Sequence, residues 1–469
     1  MSFESRTPGL KSTWWTPRLA WLLLAAAIVR FLLYAIAVAC SGTHIVIGGD
    51  TVSYLVPGRN LLLHGQFVAD GVPDLIRTPG YPLFLAITSL AGMQVAAVVN
   101  ILLSIFCVLL VWRLAYRIFI DNRIALGAAW IAAFEPVLIE NSFLLQSETL
   151  FAALFLLSME RLVRFFGNHK LTVLIQAGLW LAAAIYVRPV AYYLPCALAA
   201  GLLVVFARTP SLRLKAPAVL LLAVIPCLAI WHVRNYLVAE YKGFASISDV
   251  NLYFSNAGII IARQEHRKFW VLVSQMGWST FTDHTGQLYL YPKYVDSHPE
   301  QVTWNQTQRL AFMHAEAIRI LRAHMGFYLR ICLENLIQIT FKPGSSEIDQ
   351  YLSLHKQISR QDKLDLGPVK WMGVLVHEYP WAVAEMLAFE IVILGIYLFA
   401  IRGAFRMGTR NPILWLLLGV SLYFLFVAAI VGGASSDARY RLPSMPCVCI
   451  LAAAGVQRLR SLPASKEHC

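Results

Sequence analysis

Long apolar runs alternate with short polar stretches along this chain. The apolar runs fall at 19–39, 93–112, 124–139, 150–162, 171–187, 190–206, 218–230, 381–401, 413–431 and 442–456. A helix needs about 20 apolar residues to cross a hydrocarbon core about 30 Å thick, and hydrophobic flanks extend the shorter runs. Backbone groups in lipid must pair within the segment, and the alternating pattern of barrel strands is missing. The pattern therefore predicts an all-α polytopic membrane protein with about ten transmembrane helices, extracytoplasmic loops and interfacial helices. The first run holds Arg30 and has no small-residue cleavage pattern, so it reads as a retained span rather than a signal peptide. The stretch 327–341 is almost apolar enough to cross as well. Arg319, Arg322, Arg330 and Glu334 punctuate it and its approach at helical spacing, which favours an amphipathic helix on the outer surface. The expected organisation is a transmembrane module at 1–236 with a first outer loop at 41–82, an extracytoplasmic segment at 237–380, and C-terminal transmembrane helices at 381–469.

Composition agrees: 58% of residues are hydrophobic, only 14% are charged, and the mean hydropathy is +0.62. The net charge of +13 would suggest nucleic acid in a soluble chain. Here its distribution reports sidedness instead, and no nucleic-acid partner is expected. Arg6, Lys11 and Arg18 precede the first span; Arg113, Arg117 and Arg123 follow the second; Arg161, Arg164 and Lys170 follow the fourth. Arg208, Arg213 and Lys215 follow the sixth, Arg402, Arg406 and Arg410 the eighth, and Arg458, Arg460 and Lys466 the last. These are alternate loops, and the positive-inside rule makes them cytoplasmic, with both termini inside. Eight cysteines follow no metal or disulfide spacing; Cys40, Cys107, Cys196, Cys227, Cys332, Cys447 and Cys449 lie in or beside apolar runs and read as small hydrophobes. Asn305-Gln306-Thr307 matches a glycosylation sequon, a short pattern common by chance.

Candidate chemistry then sits outside. The first outer loop gathers Asp50, Arg59, His64, Asp70, Asp74 and Arg77, with Asp50 directly after Gly48-Gly49. Glu135, Glu140 and Glu148 line the second outer loop. Asp50 with one of these acids can supply a general base and a partner for a metal or a sugar. Arg77, Arg188, Arg234, Arg439 and Arg441 break the charge rule, each within a few residues of a span. Two readings stay open for them: pairing with lipid headgroups, or holding a ligand's phosphate at membrane depth, where a guanidinium fork is well suited. Tyr81 and Tyr440 would line the same interface. Arg30, Glu385 and Glu390, inside spans, read as pairs internal to the bundle.

Five stretches, in order, resemble the membrane glycosyltransferases with the C-type fold: GGDTVSYLVPGRNLLLHGQF followed by RTPGYPLFLA, then LLQSETLFAALFLL, YVRPVAYYLP, WHVRNY and DARYRLPSMPCVCILAAAG. The likeness points to the bacterial branch related to protein O-mannosyltransferases and the lipid A aminoarabinose transferase. It implies transfer of a sugar from a polyprenyl-phosphate carrier to a glycan, lipid or protein hydroxyl. It also implies a multi-pass protein of the bacterial inner membrane, with its active site facing the periplasm or exterior. By that resemblance Asp50 is the catalytic base, Glu148 a second acid of the site and Arg77 the basic residue that contacts the carrier phosphate; Arg188, Arg439 and Arg441 join Arg77 as candidates for the donor phosphate on their outer position alone. This chain has Arg77-Thr78-Pro79 where relatives carry Lys-Pro-Pro. Some relatives use a divalent metal and others do not; His44, His64 and His232 mark no ligand set, so the cofactor stays open. Rival readings are an enzyme moving whole lipid-linked glycans, such as a ligase or oligosaccharyltransferase, and a lipid-glycan transporter or flippase. A transporter would place its charges at mid-membrane and often show inverted repeats.

Overall fold

The computed structural model describes residues 16–69, 71–278, 290–342, 373–374, 376–377, 380–434 and 437–457. Arg6, Lys11, Asp70, Arg458, Arg460 and Lys466 lie outside these, as does much of the expected extracytoplasmic segment beyond Lys342. The molecule is almost wholly helical. Helix α1 (Pro17–Ser41) starts where Thr16 accepts a hydrogen bond from the Leu19 amide, with Pro17 in its first turn, and stops at Gly42, whose φ of 83° suits glycine. Then come α2 (Thr51–His64), a two-stranded hairpin pairing Val68 with Pro73 and Ala69 with Val72, and α3 (Gly80–Thr88). The bundle continues with α4 (Met93–Phe119), α5 (Asn122–Phe134), α6 (Pro136–Glu140), α7 (Glu148–Asn168), α8 (Leu171–Val187), α9 (Leu194–Val205), α10 (Pro210–Arg213) and α11 (Lys215–Ala239). Short helices α12 (Ile247–Asn251), α13 (Gly258–Gln264), α14 (Phe269–Gln275) and α15 (Leu290–Ser297) lead to α16 (Gln306–Ala323) and α17 (Met325–Phe341). Among the described residues three further helices follow: α18 (Pro380–Met407), α19 (Pro412–Gly432) and α20 (Met445–Val456).

A helix lies on each of the ten expected runs, but the expected count of crossings needs correction. Among the described residues five helices are long and apolar enough to cross a membrane: Pro17–Ser41, Met93–Phe119, Pro210–Ala239, Val383–Met407 and Pro412–Gly432. The others fall short for local reasons. α5 has 13 residues, about 20 Å of helix, because Pro136 forces Glu135 out of the helical region. α8, α9 and α20 are also short, and α7 carries Glu148, Glu160, Arg161 and Arg164 among its apolar residues. α17 is not one of the five. Its Ile331, Asn335 and Ile339 are buried, while Met325, Leu329, Leu333 and Ile337 are exposed. Asn335 donates to the carbonyls of Ala429 and Gly433, fixing α17 against the end of α19.

Each helix packs on several others: α4 on α1, α5 and α7, α7 on α8, α8 on α11, and α20 on both α18 and α5. Small residues allow the closest approach. A Cβ at Gly403 would lie 1.9 Å from the Leu451 carbonyl oxygen, and one at Gly455 would lie 1.9 Å from that of Phe399. The backbones of α18 and α20 therefore touch, as membrane helices do through glycine. Arg30 is fully buried, and its bonds differ from the expected ion pair. Its guanidinium donates to Ser104 Oγ at 2.9 Å and to the carbonyls of Ala133 and Ala26 at 2.9 and 3.2 Å.

The turn Ala438–Arg441, which leads into α20, carries one buried ion pair. Arg441 Nη2 lies 3.3 Å from Glu135 Oε1, and both side chains are fully enclosed. Arg441 also donates to the carbonyls of Ile339 and Lys342, so it joins α5, α17 and α20. Removing one partner of such a pair strands the other charge, at a cost of about 3–5 kcal/mol. Arg441→Met should therefore lower the melting temperature sharply in detergent, and Glu135→Gln combined with Arg441→Met should recover much of the loss. A single variant that melts like wild type would contradict the pair's structural role.

Candidate active site

The site forms at the end of the bundle where α1 finishes and α7 begins. Two bonds stitch the first loop to the second: the Leu145 amide donates to the Val46 carbonyl at 2.9 Å, and Thr51 Oγ1 donates to the Leu145 carbonyl at 2.8 Å. Asp50 then occupies the N-cap of α2, where the helix's positive end favours a carboxylate. Its side chain makes no cap bond. It turns instead to Arg77, with Oδ1 2.8 Å from Nη2.

Arg77 is held from several sides. Asp74 Oδ1 accepts the backbone amides of Ile76 and Arg77, shaping the turn before Thr78-Pro79. The Arg77 guanidinium donates to Ser53 Oγ at 3.0 Å and Tyr54 OH at 3.2 Å, and stacks 4.4 Å from the Tyr54 ring centre. Tyr54 OH lies 3.2 Å from Ser147 Oγ, one residue before Glu148. Glu148, 3% exposed at the start of α7, pairs with Arg188 at the end of α8. Arg439, from the last turn of the chain's outer loops, completes the group. Its Nη2 lies 3.5 Å from Asp50 Oδ2, its Nη1 lies 3.8 Å from Glu148 Oε1, and it donates to Gln146 Oε1 at 2.9 Å.

Three guanidiniums thus meet two carboxylates, leaving one positive charge in excess. Burial pushes the Asp50 carboxyl upward, but the charges of Arg77 and Arg439, a hydrogen bond from Arg77 and the charge of Arg188 outweigh it, holding Asp50 well below the usual carboxylate range. Burial pulls the other way on Arg77, Arg188 and Arg439, yet the neighbouring carboxylates and tyrosines win, and all three stay charged. Asp50 itself stays accessible, with 36% of its side chain open.

Asp50, Arg77, Glu148, Arg188 and Arg439 are therefore brought together from five separate chain segments. The other candidates are placed differently. Arg441, grouped with them in the sequence reading, is turned inward to Glu135 instead. Tyr81 is fully buried behind Tyr54, edge-on at 4.8 Å between ring centres. Tyr440 lies beneath the Arg439 guanidinium, 5.3 Å from ring centre to Cζ. Arg234 donates to the carbonyls of Phe67 and Asp74 and steadies the hairpin. Among the described residues no group of three or more His, Cys, Asp and Glu gathers to hold a metal. Asp50 and Glu148 are both engaged by arginine, and His232 bonds Tyr192 OH and the Lys242 carbonyl, so this donor set does not fit a divalent ion. The sequence reading missed Ser53, Tyr54, Gln146 and Ser147. Ser53 and Tyr54 sit one helical turn beyond Asp50, and Gln146 and Ser147 directly precede Glu148, so spacing from the two acids was the available signal.

Residues 77–232 match the family described as dolichyl-phosphate-mannose-protein mannosyltransferase. That stretch includes Arg77, Glu148 and Arg188; Asp50 and Arg439 lie outside it. No curated protein sequence matches the chain. Among solved structures the chain is similar to the Archaeoglobus fulgidus oligosaccharyltransferase in its apo form, with TM-score 0.49 and 13% identity over 93% of this chain and 50% of that one. It is also similar to the oligosaccharyltransferase AglB of the same organism in complex with an inhibitory peptide and a dolichol-phosphate, with TM-score 0.48 and 12% identity over 93% and 50% of the two chains. The chain spans about half the length of these structures.

Gly48 offers a test of the assembled group. A Cβ there would come 2.1 Å from Gln146 Nε2, the mobile end of a flexible side chain. Gly48→Ala should fold, but swing Gln146 off Arg439 and loosen that guanidinium. Anion affinity should then fall by about 1 kcal/mol, roughly fivefold. Unchanged affinity for inorganic pyrophosphate, measured by titration in detergent, would show that Gln146 does not hold Arg439 in place.

Proposed function

We propose, on the premise that this chain is a membrane glycosyltransferase of the C-type fold, that it moves a sugar from a polyprenyl-phosphate carrier to an acceptor hydroxyl at the Asp50 end of the bundle. One observation carries this reading: three guanidiniums converge on two carboxylates, one of which, Asp50, keeps 36% of its side chain open. A lipid-borne phosphate is the anion available at such a depth, and guanidinium forks suit it. The charge rule puts this end outside the cytoplasm, where nucleotide sugars are absent and an activated sugar must come on lipid. The resemblance to the bacterial branch supports the inner membrane, with this end facing the periplasm.

Arg77 and Arg439 hold the donor phosphate, with Arg188 adding its charge from behind Glu148. The acceptor oxygen attacks the anomeric carbon as the bond from that carbon to the phosphate oxygen breaks. The electron pair leaves with the polyprenyl phosphate, and the acceptor's proton passes to Asp50. A direct displacement inverts the anomeric centre. Glu148 is a positioning residue, since it reaches Arg188 and Arg439 and thereby sets their angle. Asp50 is a weak base while two arginines lie on it. When phosphate takes those arginines, the carboxylate loses its counter-charge and its pKa rises. Donor binding would thus release the base it needs.

The direct test is turnover of a short-chain polyprenyl-phosphate monosaccharide by purified protein. Asp50→Asn should keep the fold and lose transfer; turnover close to wild type would remove Asp50 from the chemistry. Arg77→Ala should weaken donor use by about 1.5–3 kcal/mol, or roughly tenfold to over a hundredfold. Transfer of only whole lipid-linked glycans would favour the ligase reading.

pH dependence gives a second test. A depressed pKa keeps Asp50 ionised in the free enzyme, so the acid limb it sets in kcat/KM should lie below the usual carboxylate range, near pH 4. The limb in kcat, which reports the donor complex, should lie higher. Arg77→Gln should shift the kcat/KM limb upward, because it removes the largest charge that lowers Asp50. Coincident limbs in wild type would overturn release of the base by donor binding.

A further inference from the structure

A side chain that touches none of the five charged groups holds the loop leading into α7. Every residue from Asn141 to Thr149 is buried, yet Asn141–Ser147 is not helical. Buried backbone outside a helix has to find its hydrogen-bond partners elsewhere in the protein. Asn100, on α4 about 10 Å from its first residue, supplies several of them. Its side chain is buried, and its Nδ2 donates to the Leu144 carbonyl at 2.8 Å. The same nitrogen lies 3.4 Å from both the Asn141 carbonyl and Thr149 Oγ1. Thr149 Oγ1 in turn donates to the Asn141 carbonyl at 3.0 Å. One amide group therefore ties both ends of the loop to α4. We propose that Asn100 is a positioning residue for the Asp50 site, fixing the turn from which Gln146, Ser147 and Glu148 reach the arginines. This inference rests on the reading of that site as the place of the donor phosphate.

Three observations carry it. First, the Leu144 carbonyl also accepts the Gln146 amide, at 2.8 Å, which closes a three-residue turn. Asn100 thus bonds the very oxygen that orients Gln146, and Gln146 Oε1 accepts from Arg439. Second, the neighbours fix which way the amide points. The Leu144 and Asn141 carbonyls can only accept, so the NH2 end faces them. Asn100 Oδ1 has no donor among the described residues, so the side chain serves the loop by what it donates. Third, the other contacts of the loop run to the site. The Leu145 amide and carbonyl bond Val46 and Thr51, on either side of Gly48-Gly49-Asp50. Ser147 Oγ accepts from Arg188 at 3.3 Å, and Glu148 pairs with Arg188 and Arg439. A shift at Leu144 therefore passes to Arg439 through Gln146 and to Arg188 through Ser147.

The test titrates the purified full chain in detergent with inorganic pyrophosphate and, alongside, measures turnover of a short-chain polyprenyl-phosphate monosaccharide. Asn100→Leu keeps the size of the side chain and removes the donor. Pyrophosphate affinity should fall, and KM for the sugar donor should rise, by roughly tenfold, with kcat changed less. A side chain that only supports folding would instead lower the active fraction, and with it the apparent kcat, at unchanged KM and affinity; that result would overturn the inference. Ser158→Ala is the matched control, since it removes a buried bond from α7 to the Ala177 carbonyl, 2.8 Å long and away from the loop. It should melt earlier than wild type but bind pyrophosphate as tightly, and an equal loss of affinity there would also overturn the inference. If Asn100→Leu fails to fold, Thr149→Val removes the second tie and should weaken pyrophosphate in the same sense, while Thr149→Ser keeps the hydroxyl and wild-type affinity. Arg77→Ala separates the two readings. Affinity lost in Arg77→Ala but kept in Asn100→Leu and Thr149→Val would overturn the role of Asn100 alone. Affinity kept in all three would overturn the phosphate site and this inference with it.

Discussion

An arginine withdrawn from water needs a counter-charge, and the arrangement of this protein's site end follows from that requirement. Arg439 reaches Asp50 and Glu148 together, so the first outer loop, the start of α7 and the last outer turn cannot move independently. Arg188 and Arg77 close the remaining sides, each on one of the same two acids. Taking away either acid leaves two positive charges unmatched, so the network behaves as a unit rather than as a sum of pairs.

Much of this was legible in the chain. Apolar runs of the right length showed the helices, because burial in lipid demands them regardless of tertiary detail. Arginines on the wrong side of the charge rule singled out the site, since topology has no use for them there. Asp50 stood out behind two glycines, and the structure shows why one of them matters: Gly48 makes room for the Gln146 amide beside Arg439. Other features were hidden for identifiable reasons. Arg439 and Arg441 are two apart in sequence, yet they sit on a 3-10 turn with three residues per turn, so their side chains leave about 240° apart. One therefore joins the site and the other the core. The shortness of α5 was visible in Pro136, but a hydropathy window averages across such a break. Tyr54 and Ser147 carry no charge, and only the folded contact between them marks them as part of the site.

Both ends of the bundle gather arginines around a carboxylate, and they differ in how open that carboxylate is. Glu160 is sealed at 2% exposure, while Asp50 keeps 36% of its side chain open. A sealed carboxylate cannot exchange partners without opening the protein, so it serves to hold its arginines in place. An open one lies on the path of an incoming anion and can give up its arginines to it. That exchange alters the carboxylate's own basicity, because the charge that depressed its pKa now faces the ligand. Exposure of the acid, more than the number of arginines around it, is therefore what sets the Asp50 end apart from the Glu160 end, and it is the feature on which the proposed reaction depends.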